Sequence, residues 1–176
     1  MNKAYFAGGC FWCTEYDFEK LEGVTQVTSG YAGGHVDNPT YEQVCSETTG
    51  HRESIEVVYG SSIISYETLV DHLIRIINPT DATGSFHDKG DSYTPAVFYQ
   101  TNEEKEIAEK VIQIWNDKKI YRKPLAVQVL PYKNFFKAEE YHQKYHEKNP
   151  VRYGMYRMGS GRDAQIKENN ELNPKQ

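Results

Sequence analysis

The sequence has no long apolar run, no block of basic side chains and no secretory signal. None of its hydrophobic stretches approaches the roughly 20 residues of a membrane-spanning helix, and the N-terminus lacks the basic and then apolar order of a signal peptide. Its 25 acidic and 20 basic side chains give a formal net charge of −5, without the clustered lysines and arginines of a nucleic-acid-binding surface. We therefore expect a cytoplasmic protein that binds neither membranes nor nucleic acid.

Cysteine is also scarce. Three cysteines among 176 residues argue against a framework of structural disulfides, because the count is odd. Thiols of cytosolic proteins stay reduced unless they take part in redox chemistry. Cys10 and Cys13 are separated by two aromatic residues and follow directly on Gly8 and Gly9, which permit a sharp turn and the close approach of another molecule. This stretch is the first candidate for a functional site.

Apolar positions from Cys10 to Leu21 are spaced for a helix, which places Cys10 at or near its first turn. Unpaired N–H groups and the positive end of the helix dipole stabilise a thiolate there. Cys13 lies about one turn further on, within reach of Cys10 for a disulfide. We predict a nucleophile with its resolving partner. The alternative is a zinc site, for which Cys45 or a distant histidine would have to complete the four ligands.

Alternating and helical apolar patterns continue along the chain. In Arg52–Tyr59 the alternation puts Glu53 on the apolar face, so we expect a buried carboxyl with a raised pKa. The long polar loop Thr80–Tyr93 is of the kind that is usually functional or mobile. The predicted strands are Lys3–Ala7, Val24–Tyr31, Arg52–Tyr59, Ala96–Gln100 and Leu125–Leu130; the predicted helices after the first are Thr40–Cys45, Tyr66–Asn78, one that Thr101 begins, and Ala138–Lys148.

The first six elements follow the order βαββαβ, which fits a ferredoxin-like split βαβ core, and an αβα series follows. The predicted class is α+β, a two-layer α/β sandwich. A chain of this length can bury one sizeable core, so we expect a single catalytic domain over residues 1–158. From Gly159 the sequence is polar and lacks periodicity, and residues 159–176 are predicted to be a mobile tail.

The stretch Gly8–Cys13 with Glu15 resembles the active-site signature of the A-class peptide methionine sulfoxide reductases. Further motifs of that family follow in order up to about residue 162; they are Gly30–Gly34, Asn38–Cys45, Thr49–Glu53, Asp88–Gly90 with Tyr93, and Glu140–Gln143 with Tyr145. The resemblance implies an enzyme that repairs oxidative damage by reducing methionine S-sulfoxide, free or in proteins. It also implies thioredoxin or a similar external thiol as the reductant, and no bound cofactor or metal.

The resemblance assigns a role to each candidate residue. The Cys10 thiolate attacks the sulfoxide sulfur and becomes a sulfenic acid, which Cys13 converts to a disulfide. Glu53 is the general acid, since a sulfoxide oxygen is a poor leaving group until it is protonated. The implied substrate-binding residues are Phe11 and Trp12 around the methyl group, Tyr41 and Tyr93 as hydroxyl donors, and Asp88 near those hydroxyls or the substrate backbone. Glu15 and His142 are expected to support the site from behind, and Cys45 to be buried and structural.

Two features depart from the family pattern. No cysteine follows Cys45, so Cys13 or an external thiol must resolve Cys10, and Lys89–Pro95 is less basic than is common in the family. The main rival is a thioredoxin-type dithiol–disulfide oxidoreductase, which also has a CxxC at a helix start but needs no acid beside a leaving oxygen. A metal- or peptide-binding module that uses a surface rich in the 14 tyrosines is the third possibility.

Overall fold

The computed structural model describes residues 1–176, which form eight strands, seven α-helices and two short 3₁₀ turns. The strands are β1 (Asn2–Ala7), β2 (Val24–Ala32), β3 (Arg52–Tyr59), β4 (Gly84–Ser85), β5 (Asp88–Lys89), β6 (Ala96–Tyr99), β7 (Gln128–Pro131) and β8 (Phe135–Lys137). The helices are α1 (Phe11–Glu19), α2 (Tyr41–Cys45), α3 (Tyr66–Arg75), α4 (Asn102–Asp117), α5 (Tyr145–Lys148), α6 (Pro150–Ser160) and α7 (Arg162–Leu172). The 3₁₀ turns are Asp91–Tyr93 and Glu140–His142.

Six strands form one sheet in the order β7-β6-β1-β3-β2-β8, and β4 pairs with β5 in a separate hairpin. Every pair in the large sheet is antiparallel except β6 with β7. The mixed α and β class that the sequence predicts is confirmed. The finer description, a two-layer sandwich with a ferredoxin-like split βαβ core, stays a prediction.

The core lies between the sheet and the helices α1, α3 and α4. Because side chains alternate along a strand, β1 contributes Ala4 and Phe6 to this core and Tyr5 and Ala7 to a smaller cluster on the other face. Full burial of one such large apolar side chain contributes about 1.5–3 kcal/mol. The alternation predicted for β3 is confirmed. Glu53, Ile55, Val57 and Tyr59, which share one face of the strand, are all buried.

Some boundaries differ from the sequence-based expectations. The first helix starts after Cys10 and ends at Glu19, and the third ends at Arg75. The predicted helix Ala138–Lys148 is wrong: a 3₁₀ turn and the single-turn α5 replace it. Lys144 between them has φ +50°, in the left-handed region, which interrupts a right-handed helix.

Residues 159–176, which the sequence predicts to be a mobile tail, contain α7 and the last residues of α6. The buried side chains of helix α7 are polar, Arg162 and Asn169. The Asn169 amide is fully buried and donates to the carbonyls of Arg75 (3.0 Å) and Ile77 (2.8 Å), at and just after the end of α3. A search for apolar periodicity cannot find such a helix. None of the helices in the molecule is both long and apolar enough to cross a bilayer.

Candidate active site

A pocket of about 40 Å³ opens where the N-terminus of α1 meets β3 and the β4–β5 hairpin. Eight side chains line it, and seven of them are the residues that the sequence indicates: Cys10, Phe11, Trp12, Tyr41, Glu53, Asp88 and Tyr93, with Tyr156 as the eighth. Cys13 lies behind the pocket, fully buried. A wider groove of about 540 Å³ along α3, α4 and the C-terminal residues contains no thiol, and we assign the chemistry to the small pocket.

The turn before α1 fixes the position of the thiols. Gly9 has φ +86°, and a Cβ at this position would lie 2.3 Å from the Cβ of Ser85, so only glycine fits. Cys10 follows as the N-cap residue of α1, and its carbonyl accepts from the N–H of Cys13 at 3.1 Å. The two cysteines are therefore held within the first turn of one helix.

The Glu53 carboxyl lies at the N-terminus of α1. Its Oε1 accepts the first free N–H of the helix, that of Phe11, at 3.1 Å, whereas the Cys10 side chain makes no capping hydrogen bond. Burial, strengthened by the charge of Asp88, raises the pKa of Glu53 to about 8, although the Phe11 N–H and the Tyr93 hydroxyl oppose the shift. The carboxyl is thus mostly protonated at neutral pH and can give up a proton.

The thiol pair differs from the expectation of a thiolate on Cys10. Burial raises the pKa of Cys10 well above the usual thiol value, and Cys13, Glu53 and Asp88 add to the effect. The pKa of Cys13 is lowered to about 6, first because the Cys10 thiol donates to it, and then because of nearby arginines and the Tyr153 hydroxyl. Cys10 is the protonated partner of the pair, and burial overturns the predicted helix effect on its thiol.

The aromatic side chains of the pocket are rigidly placed. The Trp12 ring stacks on Tyr145 with centroids 3.8 Å apart and an angle of 7°, and its Nε1–H donates to Nδ1 of His142 at 3.0 Å. The His142 ring also lies 5.0 Å from that of Phe11 and 4.6 Å from that of Tyr41. Burial lowers the pKa of His142, so a neutral imidazole holds these rings from behind.

The tyrosine hydroxyls of the pocket are hydrogen-bond donors. Burial, followed by the charge of Glu53, raises the pKa of both Tyr41 and Tyr93, which keeps them protonated. Tyr156, which sequence analysis missed, donates its hydroxyl to Asp88. Pro150 at the first position of α6 and Gly161 after its last are sequence signals of a helix that could have pointed to it.

Of the three further residues singled out from the sequence, two lie behind the pocket and one at the surface. Glu15 is fully buried and accepts from the Lys144 N–H at 2.6 Å; burial, with the charge of Glu19, raises its pKa to about 7. His142 is the ring support described above. Cys45 is exposed, so the expectation of a buried structural thiol is wrong. It ends the short helix α2, whose one buried residue is Val44.

Possible metal ligands cluster elsewhere in the molecule. Glu19, His146 and Glu147 form the one such group, and it includes none of the pocket residues. The ammonium of Lys144 lies 3.9 Å from Glu19 and 3.8 Å from Glu147, so a cation already accompanies these carboxylates.

Known proteins of one family resemble this chain over nearly its whole length. The family model described as peptide methionine sulfoxide reductase matches residues 2–173. The chain belongs to this family. The resemblance stated from the motifs is thereby confirmed, and the match includes α7, which the predicted domain boundary left out.

Relatives within the peptide methionine sulfoxide reductases cover nearly the whole chain. MsrA 2 of Staphylococcus aureus is 47% identical over 168 residues, which are 94% of this chain and 95% of that protein. MsrA/MsrB of Vibrio cholerae is 51% identical over 167 residues, which are 95% of this chain but only 44% of that protein. The chain therefore spans less than half of the second relative and nearly all of the first.

Solved structures of the family share the fold. Reduced Mxr1 of Saccharomyces cerevisiae superposes with a TM-score of 0.79 and 31% identity, covering 85% of this chain and 86% of that one. Mxr1 has also been solved in complex with Trx2; that form superposes with a TM-score of 0.58 and 24% identity over 82% and 84% of the two chains, a likeness that shows the fold alone.

Proposed function

We propose that this chain reduces methionine S-sulfoxide, free or in proteins, to methionine at the expense of an external thiol. The observation that carries the proposal is the meeting of the Cys10 thiol, the protonated Glu53 carboxyl and the Phe11 and Trp12 rings in one small pocket. Membership of the family and the names of its relatives support the same activity. The S epimer follows from the motif resemblance.

In the first step the Cys10 sulfur attacks the sulfoxide sulfur while Glu53 protonates the sulfoxide oxygen. The substrate S–O bond breaks as the oxygen moves to the Cys10 sulfur. Methionine leaves reduced by two electrons, and Cys10 becomes a sulfenic acid. The proton that Cys10 loses replaces the one that Glu53 gave, so the carboxyl ends the step protonated. The Tyr41 and Tyr93 hydroxyls donate to the same oxygen as its charge develops.

Substrate binding uses the aromatic rings and Asp88. The pocket walls formed by Phe11 and Trp12 take up the methyl group on the sulfoxide, a contribution of about 0.8 kcal/mol for one carbon. Asp88, oriented by the Tyr156 hydroxyl, accepts a hydrogen bond from the substrate backbone N–H. A pocket of about 40 Å³ has room for little more than the reacting end of the side chain.

Recycling then uses Cys13. Its sulfur attacks the Cys10 sulfenic acid, a Cys10–Cys13 disulfide forms and water leaves. An external dithiol reduces this disulfide by exchange and is itself oxidised. Thioredoxin is the proposed dithiol, since yeast Mxr1 forms a complex with Trx2. The proposed cycle takes place in the reducing cytoplasm and uses no metal and no prosthetic group.

The rival function, general dithiol–disulfide exchange, explains the two cysteines. It gives the buried, protonated Glu53 carboxyl no role, because no leaving oxygen has to be protonated. Assays of the purified chain with dithiothreitol on N-acetyl-methionine sulfoxide, as separate epimers, and on insulin disulfides distinguish the two functions. Turnover of the S epimer, with insulin reduced no faster than by dithiothreitol alone, is the expected result. Reduction of insulin without methionine release would overturn the proposal.

A further inference from the structure

Arg162 is buried without an acidic partner. Its side chain belongs to the largest fully buried ones of the molecule, and no carboxylate lies within 4.0 Å of it. The other two buried arginines differ, since Arg75 pairs with Asp71 at 2.6 Å and Arg157 with Asp17 at 2.9 Å. A guanidinium keeps its charge when buried, so an unpaired one is costly unless the charge has a use.

The neutral acceptors of Arg162 belong to the walls of the active site. Nη2 donates to the carbonyl of Gly8 at 3.2 Å, two residues before Cys10, and to Oγ of Ser85 at 3.3 Å in the hairpin that carries Asp88. Nη1 donates to the carbonyl of Ile76, just after α3, at 2.9 Å, while Nε has no partner. One side chain of α7 thus holds the nucleophile's turn against the hairpin.

The charges around the thiol pair are unbalanced without Arg162. The ionisable groups that face Cys10 and Cys13 are Tyr41 on α2, Glu53 on β3, Asp88 on β5, Tyr153, Tyr156 and Arg157 on α6, and Arg162 on α7. The two carboxyls and the three tyrosines disfavour a thiolate when ionised. Arg157 is neutralised by Asp17 and Asp163. Arg162 is the one positive charge of this set that no carboxylate neutralises.

We propose that Arg162 is a positioning residue whose unpaired charge stabilises the thiolate of the Cys10–Cys13 pair. The inference rests on the proposed function, and it names the group that stabilises the ionised form of the thiol pair. Burial alone would keep both thiols protonated at neutral pH. With Arg162 beside the turn, one negative charge can reside on the pair, and it resides on Cys13. The low pKa of Cys13, owed first to the Cys10 thiol, is also owed to this arginine.

Thiolate absorbance at 240 nm against pH tests this inference, in a Cys45→Ser background that removes the exposed thiol. The background protein should show one thiolate with a midpoint near pH 6. Arg162→Gln and Arg162→Met should each raise the midpoint by about one unit, which leaves about fivefold less thiolate at pH 6. Arg162→Lys, which keeps the charge but loses the same hydrogen bonds, should retain the original midpoint.

Arg75→Gln is the matched control, because it removes a buried arginine remote from the thiols and should leave the midpoint unchanged. Equal shifts in Arg162→Lys and Arg162→Gln, or no shift in a folded neutral variant, would overturn the inference. A thiolate midpoint at pH 8 or above in the Cys45→Ser background protein would by itself overturn the inference, whatever the Arg162 variants show. Sulfoxide reduction by Arg162→Gln should recover as the pH rises from 6 to about 7, where its thiolate forms while Glu53 is still mostly protonated. Failure of the unsubstituted enzyme to reduce sulfoxide would instead count against the proposed function.

Discussion

The Glu53 carboxyl accepts the Phe11 N–H at the start of α1, while the Cys10 side chain makes no capping hydrogen bond. Because burial favours the neutral form of both groups, the pocket holds a protonated acid and a protonated thiol. Cys10 and Glu53 therefore lie in the same pocket, and the proton that the Cys10 thiol loses can replace the proton that Glu53 donates.

Replacement of Glu53 by glutamine removes the proposed proton donor and keeps its size. Glu53→Gln should slow single-turnover release of methionine by at least about 100-fold, the usual contribution of a general acid. In the unsubstituted enzyme the rate should fall as the pH rises through about 8, where Glu53 ionises. The glutamine variant should lose this decline. An unchanged rate in Glu53→Gln, measured by rapid quench, would remove Glu53 from the role.

The same substitution should stabilise the fold at neutral and alkaline pH. The folded-state pKa of Glu53, about 8, lies above the ordinary carboxyl value of 4.5. Its contribution to the free energy of unfolding is therefore fully present below pH 4.5 and is lost as the pH rises to about 8. Glu53→Gln has no ionisation to lose, and urea unfolding should show a gain on the order of 4 kcal/mol at pH 8 and none at pH 4. A gain that is equal at both pH values would contradict the assigned pKa.

At the scale of elements, the hairpin and the last helix support the active site. The hairpin β4–β5 brings Asp88 over the pocket, and α6 contributes Tyr156 to its wall. Helix α7 closes the end of α3 with Asn169 and reaches the Gly8–Gly9 turn with Arg162. These contacts are polar and join residues that are far apart in sequence, so local sequence patterns do not predict them.

The Asn169 amide supplies a test of the role of α7 in stability. Asn169→Ala leaves buried carbonyls at and just after the end of α3 without a donor, at a cost of about 2 kcal/mol in the free energy of unfolding. Urea denaturation measures this cost. Glu171→Ala on the exposed side of the same helix is the control and should cost less than about 0.5 kcal/mol. Equal small effects would mean that α7 contributes little to the fold.

At the scale of the whole molecule, the sequence predicts what depends on local pattern. Strand alternation places Glu53 on the buried face, and the motifs bring seven of the eight pocket residues together. The ionisation of Cys10 could not be predicted, because it depends on burial by distant segments and on the neighbouring Cys13, Glu53 and Asp88. Tyr156 and Arg162 were missed because they reach the site from helices that are distant in sequence from its motifs. The exposure of Cys45 likewise depends on which face of α2 the rest of the chain covers.

The most direct test is one turnover without reductant. The reduced chain is mixed with excess methionine S-sulfoxide, the released methionine is counted, and the protein is mapped by mass spectrometry under acid quench. We predict one methionine per chain and a Cys10–Cys13 disulfide, with Cys13→Ser releasing one methionine and accumulating the Cys10 sulfenic acid instead. Release of no methionine, or of one methionine with Cys10 left as a free thiol, would contradict the account.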